Sequence, residues 1–174
     1  MSRLALAAAL AAAGCGYTWG AAATQERTGA GSLPRVAVLP FDNDTFRRGL
    51  EMRLTRLVAD EVRARSPQAA ARPGEADWLL TGRITQATEQ VLSEDRRDEV
   101  RESSFVVTAE VHIRDRATEK VIRTYSMTES EPFSARAGRI ATLEQAQEQA
   151  LRDLAERIVY ALEAGSPERR ADGS

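Results

Sequence analysis

The sequence predicts an α+β fold, a two-layer sandwich in which two helices pack on a four-stranded mixed sheet in the order β-α-β-β-β-α. Two long segments carry apolar residues at helical spacing, and four other segments are β-branched runs or alternate between apolar and polar residues. Each predicted helix has one apolar stripe, and the predicted sheet has one apolar face. Packing the helices on that face buries all three surfaces.

The first strand and the first helix are predicted next to each other. Residues 35–41 form a short β-branched and apolar run, and Pro40 lies at its end. Residues 42–45 are predicted to cap a helix that runs from about residue 46 to residue 65. Because this helix separates the first two strands, a parallel crossover between them is expected. The predicted apolar stripe of the helix contains Phe46, Leu50, Leu54, Leu57, Val58 and Val62.

The next three strands are predicted to form antiparallel hairpins. Residues 77–89 are the second strand, in which Gly82 indicates a close approach of neighbouring atoms. The mixed charges of residues 94–99 predict a solvated loop or hairpin tip, and a charged turn at 114–120 precedes the fourth strand at 121–130. The other face of the sheet carries Thr, Glu, His and Arg and is expected to be solvated or covered by a partner. The third strand alternates most clearly, and its apolar face contains Phe105, Val107, Ala109, Val111 and Ile113.

The last helix begins at a predicted capping box formed by Thr142 and Gln145. Gly165 is predicted to follow the C-cap of this helix. The remaining residues, 166–174, are polar and are expected to be disordered. The inward stripe of the helix is predicted to contain Leu143, Ala146, Ala150, Leu151, Leu154, Ile158, Ala161 and Leu162.

The N-terminus resembles a bacterial lipoprotein signal peptide. Arg3 precedes an apolar run of ten residues, too short to span a membrane, and small residues then lead to Cys15. This pattern predicts that residues 1–14 are removed, that Cys15 is lipidated, and that residues 15–34 form a flexible tether to a folded domain at 35–165. The alternative is an ordinary signal peptide followed by a free thiol.

Composition argues against several function classes. Removal of the signal peptide leaves 23 basic and 26 acidic residues, a net charge of −3, which does not favour nucleic-acid binding. The single histidine, His112, is predicted on the polar face of a strand, and the single cysteine is assigned to the anchor. The sequence also lacks the motifs of nucleotide-binding and metalloprotease sites. We therefore expect no enzyme activity, no metal site and no cofactor.

Four segments together resemble the LptE family of lipopolysaccharide-assembly lipoproteins. They are Gly14–Tyr17, Phe41–Thr45, Gly49–Thr55 and Ala76–Ile84. The resemblance implies two helices on a four-stranded sheet and a non-enzymatic protein that plugs the outer-membrane β-barrel LptD and binds lipopolysaccharide. The resemblance to a lipoprotein signal favours anchoring in the outer membrane, because the residue after Cys15 is Gly16 and not the Asp that commonly retains lipoproteins at the inner membrane.

Residues 36–43 and 76–84 also resemble lipoproteins related to the cell-wall synthase activator LpoB and to the curli-secretion protein CsgG. In that alternative the protein would activate a periplasmic enzyme or take part in secretion. The tether argues against an activator that reaches across the periplasm, since the residues from Cys15 to Leu33 span at most about 65 Å when fully extended.

The most cationic predicted turn is the candidate contact for lipopolysaccharide, whose anionic groups require positively charged donors at fixed positions. Only Asp115 and Glu119 offset the charges there. The alternative is a solvated hairpin tip whose charges aid solubility. The candidate binding residues are Arg114, Arg116, Lys120 and Arg123.

Overall fold

Two helices lie on one face of a mixed sheet, and the sheet has five strands because residues 42–43, predicted to cap the first helix, form a short strand of their own. The computed structural model describes residues 33–94, 100–133 and 142–165. In chain order its elements are β1 (Val36–Val38), β2 (Asp42–Asn43), α1 (Leu50–Arg65), β3 (Trp78–Glu94), β4 (Val100–Asp115), β5 (Val121–Phe133) and α2 (Leu143–Ala164). The predicted α+β class and the order of its helices and main strands are confirmed.

The strand β1 lies within the predicted first strand, whereas β2 lies in the segment predicted to cap the first helix. Both pair in parallel with β3, with Val36 opposite Trp78 and Asn43 opposite Ile84. Pro40 lies between the two strands and has no N–H to donate, so the ladder of hydrogen bonds is interrupted there.

The remaining strands form the predicted antiparallel hairpins. The order across the sheet is β1-β3-β4-β5, and β2 pairs with β3 further along that strand. The hairpin of β3 and β4 is longer than predicted, because β3 continues to Glu94 and β4 begins at Val100. Residues 95–99, the predicted tip, lie outside the described residues.

The last strand, β5, forms an edge of the sheet, and a side chain from α2 reaches it. A guanidinium nitrogen of Arg157 donates to the backbone oxygen of Thr128 at 3.3 Å and to a carboxylate oxygen of Glu129 at 2.6 Å. Pro132, near the end of β5, has no backbone N–H.

The core lies between the helices and the inner face of the sheet. All five residues of the predicted apolar face of β4 are buried, as are Leu80 and Ile84 of β3. From the first helix, Leu50, Leu54 and Val58 contribute, together with Val62, and Leu57 is partly buried. The alternation that predicted a one-sided sheet is thus confirmed.

The close approach predicted at Gly82 is also confirmed. A Cβ atom at this position would lie 2.5 Å from Cε1 of Phe41 and 2.7 Å from the backbone oxygen of Glu110. Only glycine leaves room for the Phe41 ring on this side of the sheet.

The predicted start of the first helix is wrong. The helix begins at Leu50, and its N-cap is Gly49, which has a left-handed φ of 89° and no capping side chain. Residues 42–43 are drawn into the sheet by pairing with β3, so they cannot cap the helix. Phe46 therefore lies in the connecting loop, where it is fully exposed instead of joining the apolar stripe.

The second helix follows its prediction closely. The backbone N–H of Thr142 donates to Gln145 Oε1 at 2.8 Å, and the N–H of Gln145 donates to Thr142 Oγ1 at 3.4 Å, which completes the capping box. Gly165 is itself the C-cap, with a φ of −85°, instead of the residue after it. The predicted stripe is buried except for Leu143 and Ala161, which are partly buried, and two further residues, Ala155 and Val159, are also buried.

Several predicted features fall outside the described residues. These are the predicted lipidation site Cys15, most of the tether at 15–34, and the tail at 166–174. Leu33, the first described residue, is already buried against the core.

Candidate functional site

The predicted cationic turn connects β4 to β5 and is held by its own hydrogen bonds. The Asp115 carboxylate accepts from the backbone N–H of Thr118 at 2.8 Å and from its hydroxyl at 2.9 Å. These bonds, with the backbone contribution first, lower the pKa of Asp115. Glu119 adopts a left-handed φ of 56°, and the backbone oxygen of Lys120 accepts a hydrogen bond from the backbone N–H of Asp115 at 2.9 Å. The turn therefore presents its side chains from a fixed backbone.

Three of the predicted cations, Arg114, Arg116 and Lys120, are exposed at this turn. Arg114 lies near the end of β4, opposite Leu79 on one side and Val121 on the other. Lys120 immediately precedes β5. The charges of Arg114 and Lys120 are therefore available to solvent or a ligand.

The third cation, Arg116, folds back towards the loop that precedes β3. Its Nε donates to the backbone oxygen of Ala76, and its backbone N–H donates to the oxygen of Asp77 at 2.9 Å. The Asp77 carboxylate also binds Arg35, with a guanidinium distance of 3.0 Å. The bond from Arg35 is the main reason that the pKa of Asp77 is lowered, and the charge of Arg116 adds to it.

No local pattern in the sequence predicts that Arg35 binds the Asp77 carboxylate. Arg35 reaches Asp77 only because β1 pairs in parallel with β3, which places Val36 opposite Trp78. The two residues are 42 positions apart in the chain.

The fourth cation, Arg123, lies on the other side of the sheet. It is opposite Ile113, whose side chain is buried in the core. A Cβ atom on Gly165 would lie 2.8 Å from a guanidinium nitrogen of Arg123, so this side chain packs against the C-terminal end of α2. A cation there is favourable because the last carbonyls of a helix carry partial negative charge. The four predicted residues are thus divided between three environments.

The sheet face opposite the helices is rich in hydroxyl groups. Thr108 and Thr128 place their hydroxyl oxygens 2.9 Å apart across β4 and β5, and Nδ1 of His112 lies 3.0 Å from the hydroxyl of Thr124. The predicted polar character of this face is confirmed, and the single histidine is part of its hydrogen-bond network.

The helical layer also presents a polar surface. Arg53 of α1 and Glu148 of α2 form an ion pair that joins the two helices, and this bond is the main reason that the pKa of Glu148 is lowered. A groove of about 250 Å³ between the helices has an apolar floor and a mostly acidic rim. Its lining residues are Leu57, Asp60, Glu61, Ala64, Arg152, Ala155 and Glu156.

In the part of the chain that the structure describes, no three His, Cys, Asp or Glu side chains are grouped so that they could hold a metal ion. No helix among these residues is long and apolar enough to cross a membrane.

Residues 33–162 match the model of a lipopolysaccharide-assembly family, LptE. The matched range coincides with the whole fold from the first buried residue to the last turn of α2. No curated protein matches the sequence.

Solved structures of low sequence identity share the fold. Protein XCC0632 from Xanthomonas campestris has a TM-score of 0.58 and 14% identity, with 82% of this chain and 92% of that chain covered. The PelC dodecamer from Paraburkholderia phytofirmans has a TM-score of 0.51 and 18% identity, covering 78% and 95%. A minor lipoprotein from Acinetobacter baumannii has a TM-score of 0.50 and 15% identity, covering 76% and 94%. At these identities the likeness concerns the fold alone.

Proposed function

The chain belongs to the LptE family of lipopolysaccharide-assembly lipoproteins, and from this membership we propose that it assembles with an LptD-like outer-membrane β-barrel and plugs its lumen. In this role it helps to deliver lipopolysaccharide to the cell surface and catalyses no reaction. The lipidated Cys15 anchors it in the outer membrane. The observation that carries the proposal is the family match over residues 33–162, which includes every described helix and strand.

The surfaces of the domain support a place inside a barrel. Large membrane barrels have a polar interior, which can be occupied by a plug. The sheet face is hydroxyl-rich, and the helical face carries ion pairs such as Arg53–Glu148. Both broad faces are therefore suited to a wet, polar lining.

The contact with lipopolysaccharide at Arg114, Arg116, Lys120 and Arg123 stays a prediction. The geometry supports a division of roles between these residues. Arg114 and Lys120 are exposed and can donate directly to anionic groups. Arg116 and Arg123 contact the protein itself and would position the turn.

Affinity purification tests the partner. The tagged, lipidated protein should recover a large β-barrel in a stoichiometric complex, because a plug and its barrel form one assembly. Recovery of a peptidoglycan synthase or a secretion component, with no barrel, would overturn the proposal in favour of the role resembling LpoB or CsgG.

Charge reversal tests the lipopolysaccharide contact. The double variant Arg114→Glu, Lys120→Glu should bind purified lipopolysaccharide several-fold more weakly, and the loss should be larger at low salt, where screening is least. The control is Arg56→Glu, Arg63→Glu on the exposed side of α1, which changes the net charge equally. Equal losses in both variants would mean that overall charge, and not the turn, determines binding.

A further inference from the structure

More than half of the large apolar side chains that are exposed among the described residues lie towards one end of the domain. Among the described residues, seven such side chains are exposed, and four of them belong to the loop before α1, the first turn of α1 and the last part of β3. The loop lies beside β3 because Arg47 forms an ion pair with Glu89. We call these four residues the end patch: Phe46, Met52, Val91 and Leu92.

Phe46 is the most prominent member of the end patch. Its relative exposure is 102%, so the ring has no protein cover at all. Exposing an aromatic ring of this size is unfavourable in water, and single aromatic residues of this kind often anchor protein interfaces. Arg48, two positions further along the same loop, is also exposed and carries a positive charge.

The loop that carries Phe46 is held in one conformation. The side-chain amide of Asn43 donates to the backbone oxygen of Arg47 at 2.8 Å and to Glu51 Oε2 at 2.7 Å. Its oxygen accepts from the backbone N–H of Thr45 at 2.9 Å and from the hydroxyl of that residue at 2.7 Å. The hydrogen bond from the Asn43 side chain is also the main reason that the pKa of the Glu51 carboxyl is lowered. Phe46 is therefore presented by a preorganised loop, which reduces the entropy lost on binding.

Arg47 fixes the other side of the loop. Besides its ion pair with Glu89, its guanidinium carbon lies 5.6 Å from the centroid of the buried Phe105 ring. Thr45 and Arg47, on either side of Phe46, are thus held by bonds to Asn43 and Glu89, whereas the side chain of Phe46 is exposed to solvent.

The location of the end patch favours a protein over a membrane surface. The described chain starts beside the beginning of β3, since Val36 lies opposite Trp78, whereas the loop contacts Glu89. Eleven residues of strand separate the two levels, about 36 Å at the usual rise. The predicted lipid anchor thus joins the domain at the far end from Phe46. A rigid loop also offers no advantage in fluid lipid but does in a shaped protein pocket.

We propose that the end patch docks on the partner protein, with Phe46 inserted into an apolar pocket whose rim carries carboxylates that pair with Arg48. The inference rests on the proposed function for the identity of the partner, the β-barrel. It adds the surface through which the contact is made. Met52 on α1 and Val91 and Leu92 on β3 add exposed apolar area to this contact.

The test compares Phe46→Ser with Tyr160→Ser in the lipidated full chain, using detergent-solubilised barrel and measuring the dissociation constant. Tyr160 is a matched control because it is an exposed aromatic residue on α2, away from the end patch. Phe46→Ser should weaken binding at least about 30-fold, which is about 2 kcal/mol. Tyr160→Ser should change it by less than about twofold. Both variants should keep the wild-type melting temperature, since neither ring is buried.

Each other outcome overturns the proposal in a recognisable way. If the wild-type protein binds the barrel and Phe46→Ser binds it equally well, the end patch is not the contact, although the proposed function stands. If the wild-type protein does not bind the barrel, the proposed function fails and this inference fails with it. If the unlipidated Cys15→Ser chain binds phosphatidylglycerol vesicles and loses this binding on Phe46→Ser, the end patch contacts lipid and not protein.

Discussion

The substitution Gly82→Ala adds one methyl group at the tightest point of the sheet. The new carbon would lie 2.5 and 2.9 Å from two atoms of the Phe41 ring and 2.7 Å from the backbone oxygen of Glu110. Favourable carbon contacts need about 3.5–4.0 Å, so each of these is roughly 1 Å too short. Phe41 cannot easily withdraw, because its side chain is buried and its backbone N–H donates to the hydroxyl of Thr55 at 2.9 Å.

The expected cost follows from two opposing effects. Overpacking a filled core costs about 1–3 kcal/mol, whereas replacing Gly by Ala restricts the unfolded chain and returns about 0.4–1 kcal/mol. Gly82→Ala should therefore lower the free energy of unfolding by about 1–2 kcal/mol. For a domain of this size, the corresponding fall in melting temperature is roughly 4–10 °C.

Thermal and urea unfolding of matched variants measure this effect. The control is Gly74→Ala, because a Cβ atom there has no neighbour within 4 Å, so its stability should be unchanged or slightly higher. In a Phe41→Leu background, which removes the nearest ring atom, Gly82→Ala should cost less. An unchanged melting temperature for Gly82→Ala, or the same loss in both backgrounds, would refute the steric explanation.

Three further predictions concern the core, the turn region and the anchor. Leu54→Ala truncates a fully buried side chain and should lower the free energy of unfolding, measured by chemical denaturation, by about 2–5 kcal/mol. Met52→Ala, at an exposed position of the same helix, should lower it very little. Equal losses would mean that the face of α1 assigned to the sheet is wrong. The pKa of Asp77 is lowered in the folded state by Arg35, so its stabilising contribution is present above the ordinary value of 3.8 and is lost as the pH falls through the lower folded value. As the pH falls through this range, the Asp77→Asn variant should therefore lose less of its unfolding free energy than the wild type does. If the variant and the wild type lose the same amount, the stabilising role of the Asp77 carboxylate is contradicted. Cys15→Ser should abolish acylation and membrane attachment but keep the wild-type circular dichroism spectrum; acyl labelling at another residue would disprove the anchor assignment.

The features that local sequence predicts well are those determined by local contacts. Alternation from Phe105 to Ile113 predicts a half-buried strand, and the spacing of Thr142 and Gln145 predicts a capping box, because both patterns depend on residues close in the chain.

The features missed from sequence depend on pairing between distant segments. Asn43 is of a residue type that commonly caps helices, but it pairs with Ile84 and therefore belongs to the sheet. Gly49 is the N-cap of the helix instead. Arg123 pairs with the buried Ile113, which places it on the core side of the sheet and away from the exposed turn. Runs of charge identify a cationic turn, but they do not determine which side of the sheet each side chain occupies.

The contact of Arg157 with β5 has a consequence for self-association. An unpaired edge strand is a template for strand addition by other chains, and proteins limit it with charged side chains or proline. The bond to the Thr128 oxygen occupies an acceptor, and Pro132 removes a donor, in the second half of β5. Edge-to-edge aggregation should therefore start in the first half, where Val121 and Ile122 are exposed.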